Sequence, residues 1–233
     1  MDDSRRAQAA ISAGDEPDAT SVQVLLAEYA MLQASLKVSW DLTQQRTSMF
    51  FTVLSAAAVA VGLVAQASGA GTVLVPFTVV VLAIALFVGL STFLRVVQAM
   101  QEVTLIILGM NRIRRFMRDA APRYAKLFTL PVNDDEASLH RGIGGMHGHG
   151  AQGMRRGYGV LQVPGVIAAV NAALAAVAAA IAVAGVVTQT TAILVGALVF
   201  VVVLAGSLRH WRRATDEIRR SLDPIFPSQT PSK

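Results

Sequence analysis

No Asp, Glu, Lys or Arg interrupts MFFTVLSAAAVAVGLVAQASGAGTVLVPFTVVVLAIALFVGLSTFL, residues 49–94. The charge-free run begins at Thr47, and a second one covers residues 157–208, so the two runs contain 48 and 52 residues. A water-soluble core does not produce such runs, because helices and strands at its surface alternate apolar and polar faces. Both runs therefore predict segments that lie in lipid.

Each run is too long for one membrane crossing, which takes about 20 apolar residues. The first run divides at the Gly/Ser/Ala stretch of residues 68–71, and the second divides at TQTT, residues 188–191. Pro76 and Pro164 fall in the predicted first turns of their helices, where proline is tolerated. We expect an all-α fold: a four-span integral membrane protein built as two transmembrane helical hairpins.

The charges predict the orientation. All 20 Lys and Arg lie before Thr47, between the hairpins or after Leu208, and neither turn carries any. Four crossings place those three segments on one side, which the positive-inside rule assigns to the cytoplasm. No cleavable signal peptide is evident. We expect a multi-pass protein of the bacterial inner (plasma) membrane with both termini cytoplasmic.

Spans one and two are predicted to continue as long cytoplasmic helices. Upstream of span one, apolar side chains recur with 3-4-3-4 spacing, which gives one helical face with a coiled-coil tendency. These residues are Val22, Leu25, Tyr29, Leu32 and Leu36. Downstream of span two, one face carries Val97, Met100, Val103 or Thr104, Ile107, Met110, Ile113 and Met117. We expect the two faces to pack within the chain; alternatively, the same faces also form the stalk of a homo-oligomer.

A basic cluster follows the second span. Residues 109–128 contain six cationic side chains: Arg112, Arg114, Arg115, Arg118, Arg123 and Lys126. Each Lys or Arg close to anionic headgroups contributes roughly 1 kcal/mol of membrane attraction. The predicted partner is therefore the lipid bilayer, through anionic headgroups at the cytoplasmic face, with a protein as the alternative. Nucleic acid is not expected, because no recognition motif is visible.

Composition divides the chain into five predicted regions. They are a disordered N-terminal arm (1–19), a cytoplasmic helix with a two-span hairpin and a basic cytoplasmic helix (20–130), a flexible Gly/His linker (131–156), the second two-span hairpin (157–208) and a basic C-terminal tail (209–233). Within the tail, residues 209–223 resemble a short basic helix with Trp211 at headgroup level. Residues 224–233 are expected to be frayed.

The sequence offers no evident site for catalysis, a cofactor or a metal. Three histidines lie near three acidic residues, but glycines surround them and hold no ligand geometry, so we expect a solvated loop. The residues concerned are His140, His147, His149, Asp134, Asp135 and Glu136. No Ser/His/Asp arrangement, P-loop or HExxH motif occurs, and Cys is absent. We therefore predict that the protein is not an enzyme.

Asn171 carries the most polar side chain well inside a predicted span. A polar side chain in hydrocarbon needs a partner, and small neighbours such as Ala168 and Ala172 let another helix approach closely. We expect Asn171 to join helices, with a pore-lining or substrate-contacting role as the alternative. The spans contain no ionisable residue of the kind that proton-coupled transporters keep at membrane depth.

One part of the chain resembles known proteins. A family of small, uncharacterised bacterial (actinobacterial-like) multi-span membrane proteins is similar over roughly residues 20–130, in the pattern Arg95…Glu102…Asn111-Arg112-Ile113-Arg114-Arg115…Pro122. In architecture alone, this half is similar to two-span effector modules of nucleotide-signalled bacterial defence systems. That resemblance implies a protein that oligomerises on activation and disrupts the membrane.

These observations favour a non-enzymatic integral membrane protein that scaffolds or signals through helix self-association and a basic cytoplasmic surface. One alternative is a membrane-perturbing effector or an oligomeric channel. A second alternative is a small transporter, for which the sequence offers no binding residues.

Overall fold

The computed structural model describes residues 18–68, 73–135, 138–139, 163–221 and 224–227. Four long helices dominate it: α1 (Ala19–Ser68), α2 (Leu74–Ala120), α3 (Val163–Val183) and α4 (Gln189–Ser221). A short 3-10 helix, Pro122–Leu127, follows α2. These described segments contain no strand. The predicted all-α fold with four long apolar helices is confirmed.

All four helices are long and apolar enough to cross a membrane, judged by length and composition. α1 has 50 residues and α2 has 47. At a rise of 1.5 Å per residue they extend over about 75 and 70 Å, more than twice the roughly 30 Å of a bilayer's hydrocarbon core. The predicted continuation of the first two apolar segments as long helices is therefore observed.

Local chemistry explains where the helices begin and end. The Thr20 N–H donates to Asp18 Oδ1 at 2.8 Å, which caps the start of α1. α2 ends at Ala120, because Pro122 disfavours helical backbone in the residue before it. α3 ends at Val183, and Thr188 caps α4 by accepting the Thr191 N–H at 3.4 Å. The turn between α3 and α4 thus lies at residues 184–187, and the predicted turn at TQTT is wrong: Thr188 caps α4 and residues 189–191 begin it.

The chain forms two compact units, here called the polar unit and the apolar unit. The polar unit comprises Met1–Trp40, Met100–Gly153 and Thr215–Lys233. The apolar unit comprises Asp41–Ala99 and Met154–Ala214. The first half of α1 and the second half of α2 lie in the polar unit.

In the polar unit, α1 and α2 pack along the faces that their periodicity predicts. The apolar half-buried residues of α1 in this unit are Val22, Leu25, Tyr29, Leu32 and Leu36. Apart from Ser39, the other α1 residues of the unit are exposed. The facing residues of α2 are more deeply buried: Val103, Ile107, Met110 and Ile113. Leu36 packs against the cluster of Val103, Ile107, Leu108 and Leu139, so the intramolecular contact of the two extensions is observed.

The apolar unit has a separate core. All four helices contribute to it: Phe50 from α1, Phe93, Val96 and Val97 from α2, and Ile167 and Ala168 from α3 are buried, while Leu204, Trp211 and Ala214 of α4 pack against them. Phe50, Ile167 and Ala168 have no exposed surface. Trp211 is thus a packed residue of α4, which continues as one helix through the predicted basic tail helix to Ser221.

Candidate functional site

A buried carboxylate organises the polar unit. The Asp134 side chain is 0% exposed, and three N–H groups donate to it at 2.8 Å. Arg112 Nε and the Ile225 backbone N–H bond to Oδ2, and the Phe226 backbone N–H bonds to Oδ1. A charge without water is tolerated when it is paired and its lone pairs are occupied. Asp134 therefore connects α2 to residues 224–227, which follow α4.

A second set of polar contacts extends from Asp134 toward α1. Asn111 is fully buried, its Nδ2 donates to the Asn133 carbonyl at 3.0 Å, and its Oδ1 accepts from Arg114 Nη1 at 3.1 Å. Arg114 Nε donates to the Tyr29 hydroxyl at 3.0 Å, and the guanidinium lies 5.4 Å from the Tyr29 ring centre. Arg115 Nη1 donates to Asn133 Oδ1 at 3.0 Å. We call these residues, together with Asp134 and Arg112, the polar junction.

Residues 224–227 also pack through an aromatic contact. The Arg115 guanidinium lies 5.7 Å from the centre of the Phe226 ring, within the range of a cation–π interaction. Ile225 and Phe226 are half-buried, and the Asp134 N–H donates to the Phe226 carbonyl at 3.4 Å. The structure thus differs from the expectation that residues 224–233 are frayed: Ile225 and Phe226 are docked because a buried acceptor satisfies their N–H groups.

The start of the predicted linker is also packed. The Ser138 N–H donates to Asp135 Oδ1 at 2.8 Å and closes a tight turn. Ser138 is fully buried, and Leu139 is 4% exposed in the cluster with Val103. His140, His147 and His149, and the rest of the predicted linker, lie outside the described residues. Within the described ranges, no three His, Cys, Asp or Glu residues cluster as metal ligands would.

The basic cluster divides into two groups. The first group has partners in the chain: Arg112 and Arg114 belong to the polar junction, Arg115 Nε bonds Asp119 Oδ2 at 2.7 Å, and Arg118 Nη2 bonds Asp119 Oδ1 at 3.2 Å. The second group, Arg123 and Lys126, is exposed on the 3-10 helix beside Tyr124 and Leu127. Most of the charge in residues 109–128 therefore contributes to the internal contacts of the polar unit.

Asn171 lies in the apolar unit and is 5% exposed. Its Oδ1 accepts no hydrogen bond from any described residue. A Cβ added to Gly89 would lie 1.8 Å from this oxygen and 2.8 Å from Phe50 Cε2, so the oxygen occupies the space that a side chain at residue 89 would fill. The structure therefore shows the expected close approach of helices, whereas among the described residues none donates a hydrogen bond to Oδ1.

The polar junction can fix chain segments, and its central carboxylate is not placed to act as a general base. Both Asp134 oxygens already accept N–H donors, and the side chain has no exposed surface. The arginines were predictable from the sequence, but their partner Asp134 was not, because it lies 22 residues from Arg112 and 91 from Ile225. The usable signal was an apolar pair, Ile225 and Phe226, framed by two prolines in a polar tail.

Comparisons with protein families, with curated proteins and with solved structures find no match for this chain. Its function is therefore argued from its own residues.

Proposed function

We propose that this chain is a non-enzymatic integral protein of a bacterial plasma membrane that scaffolds or signals. In this proposal it crosses the bilayer four times, as two helical hairpins, with both termini in the cytoplasm. The polar unit is its cytoplasmic part, and the polar junction holds the segments of that part together.

The observation that carries the proposal is a large apolar surface on the four helices. Phe87 of α2 is 76% exposed, and in α4 Ile193, Leu194 and Leu198 are each more than 60% exposed. Soluble monomers rarely expose contiguous apolar patches of this kind. In the charge-free segments, lipid is the medium that covers such side chains.

The orientation rests on where the charges lie. Every Lys and Arg belongs to a segment outside the two charge-free runs, and neither helix-connecting turn carries a charge. With four crossings, the positive-inside rule places the N-terminal arm, residues 95–156 and the segment after Leu208 in the cytoplasm.

Anionic headgroups are the proposed lipid partner, and they are proposed to contact arginines outside the basic cluster of residues 109–128. Arg112 lies 17 residues after Arg95 in α2, about 26 Å along the helix axis, whereas the Debye length at physiological salt is about 8 Å. The arginines that adjoin the charge-free runs, such as Arg46, Arg95 and Arg209, are better placed for headgroups. The exposed Arg123 and Lys126 remain for an acidic protein partner.

The buried position of Asn171 supports the scaffold over the channel alternative. Its side chain lies on Gly89 inside the apolar unit, which is a helix-packing position. A pore-lining amide would instead face an open passage.

Fractionation and reporter fusions test this proposal. The full chain is expected to stay with membranes after an alkaline carbonate wash and to need detergent for extraction. An alkaline phosphatase fusion at Gly71 is expected to be active, and one at Gly150 inactive, with the pattern reversed for a cytoplasmic β-galactosidase reporter. A chain that is soluble without detergent, or an active phosphatase at Gly150, contradicts the proposal.

A further inference from the structure

The face of α1 that points away from α2 carries an apolar stripe in the polar unit. Val24, Met31 and Val38 are 62%, 59% and 56% exposed. They recur every seven residues, and the exposed Ala27 and Ala34 lie between them, which completes a 3-4-3-4 spacing. We call these five residues the outer stripe.

The outer stripe is separate from the face that packs on α2. At 100° per residue, the mean directions of the two faces differ by roughly 160° around the helix. The inner face of α1, which packs on α2, is already occupied. A Cβ on Gly109 of α2 would lie 3.2 Å from Leu32 Cδ1, and Arg114 of α2 donates a hydrogen bond to the Tyr29 hydroxyl. A second surface along α1 is therefore available to a partner.

The spacing indicates that this partner is a helix. An apolar repeat of 3.5 residues is what a partner helix requires, because each side chain must fit between residues of the facing helix. Lipid requires no such period, and Glu28, Lys37 and Asp41 on the same segment exclude it from hydrocarbon.

A second copy of this chain is the partner that the stripe fits. Two copies that cross the same membrane in the same direction have parallel α1 helices, and a two-fold axis along the membrane normal brings the outer stripe of one onto that of the other. We propose that the protein forms a parallel homodimer through the outer stripe. This inference rests on the proposed function, which supplies the common orientation.

The heptad register continues along α1 with small residues. Ala27 and Ala34 are followed in the same register by Ser48, Ser55 and Gly62. A Cβ added to Gly62 would meet nothing within 4 Å, so this glycine answers no packing requirement inside the chain. Small residues at such positions let two membrane helices approach closely. Asp41 falls in the same register, so the two copies would place their Asp41 carboxylates opposite each other, which weakens the contact between the two α1 helices.

Cysteine cross-linking tests the dimer without background, because the chain has no Cys. Val24→Cys, Met31→Cys and Val38→Cys are made separately in the full chain, and membranes are treated with copper phenanthroline. A parallel dimer is expected to give disulfide-linked dimers at all three positions. Gln33→Cys, which is exposed on α1 away from the stripe, is the matched control and is expected to stay monomeric.

Each other outcome overturns the proposal. Cross-linking at Met31→Cys alone indicates antiparallel helices, and equal cross-linking at Gln33→Cys indicates random collision. No cross-linking at the three stripe positions means that something else covers the stripe. An alkaline wash of the same membranes separates this failure from that of the proposed function, because a monomer can still be integral.

A charge placed in the stripe gives an independent measurement. Met31→Glu is expected to weaken dimerisation in detergent at least about tenfold, because the seam would bury an unpaired carboxylate. Gln33→Glu adds the same charge outside the stripe and is expected to leave the monomer–dimer equilibrium unchanged, as measured by sedimentation. An equal effect of both substitutions, or of neither, contradicts the proposal.

Discussion

At the scale of single residues, Asp134 shows how one buried carboxylate can organise a small unit. It has no exposed surface, yet each of its oxygens accepts an N–H donor. The surface ion pair of Arg115 with Asp119, whose side chain is 52% exposed, provides a contrast in the same helix. Exposed pairs contribute about 0–1 kcal/mol, whereas a buried pair that loses one partner costs about 3–5 kcal/mol.

This contrast leads to a prediction for Asp134→Asn. The new Nδ2 group is a donor and would face the donors that now bond to the carboxylate, so buried N–H groups would lose their acceptor. We expect the polar unit to lose about 2–4 kcal/mol of stability. Hydrogen exchange in detergent is expected to be faster at the Ile225 and Phe226 amides, which now donate hydrogen bonds to Asp134.

Asp119→Asn is the matched control for this substitution. It changes the same group at an exposed site, so we expect a stability change below about 1 kcal/mol and unchanged exchange at Ile225 and Phe226. Similar exchange rates in both variants would show that Asp134 does not hold residues 224–227.

At the scale of elements, what sequence could predict follows from how local each interaction is. The inner face of α1, from Val22 to Leu36, and the facing residues of α2 were predicted because a helix repeats every 3.6 residues. The packing of Ile225 and Phe226 was not predicted, since the groups that they contact lie about ninety residues away and no periodic pattern marks them. The contact of Asn171 with Gly89 lies between these cases: the small-residue face was visible, its partner was not.

The approach of α3 to α2 makes a prediction for Gly89→Ala. The added methyl would lie 1.8 Å from Asn171 Oδ1 and 2.8 Å from Phe50 Cε2, so these side chains or the helices that carry them must shift. We expect a loss of about 1–3 kcal/mol, as for other overpacked sites, measured as a lower melting temperature in detergent. Gly206→Ala in α4 is the control: nothing lies within 4 Å of its added Cβ, and its stability is expected to be equal or slightly higher.

A double substitution tests whether Asn171 is the obstacle. Asn171→Ala removes the amide that the new methyl would strike, so Gly89→Ala is expected to cost less in that background. If the stability loss of the double variant equals the sum of the two single losses, the strain does not come from Asn171.

At the scale of the whole molecule, composition determines more than any single contact. The two charge-free runs predict four apolar helices, and these are observed. Which residues of the basic cluster remain exposed depends partly on tertiary pairing. Arg112, Arg114 and Arg115 bond to residues distant in sequence, whereas Arg118 pairs with the adjacent Asp119. Charge counts alone therefore overstated the basic surface.

Two exposed positions in different segments test the proposed orientation. Val186 lies in the turn between α3 and α4 and is 88% exposed, and Arg123 is exposed on the 3-10 helix. In intact cells whose outer barrier is opened, a membrane-impermeant maleimide is expected to label Val186→Cys but not Arg123→Cys. After the plasma membrane is permeabilised, both are expected to react. Labelling of Arg123→Cys in sealed cells would contradict a cytoplasmic polar unit.

The position of residues 224–227 after α4 sets the order of events during biosynthesis. The partners of Asp134 in that segment are made 91 and 92 residues after it. At elongation rates of roughly 5–20 residues per second, Asp134 therefore lacks these two donors for about 5–18 s after its own synthesis. Both α3 and α4 are synthesised within that interval. The second pair of apolar helices is therefore complete before the polar unit can close around Asp134, and a chain that stops before Ile225 lacks two of the three N–H donors of this carboxylate.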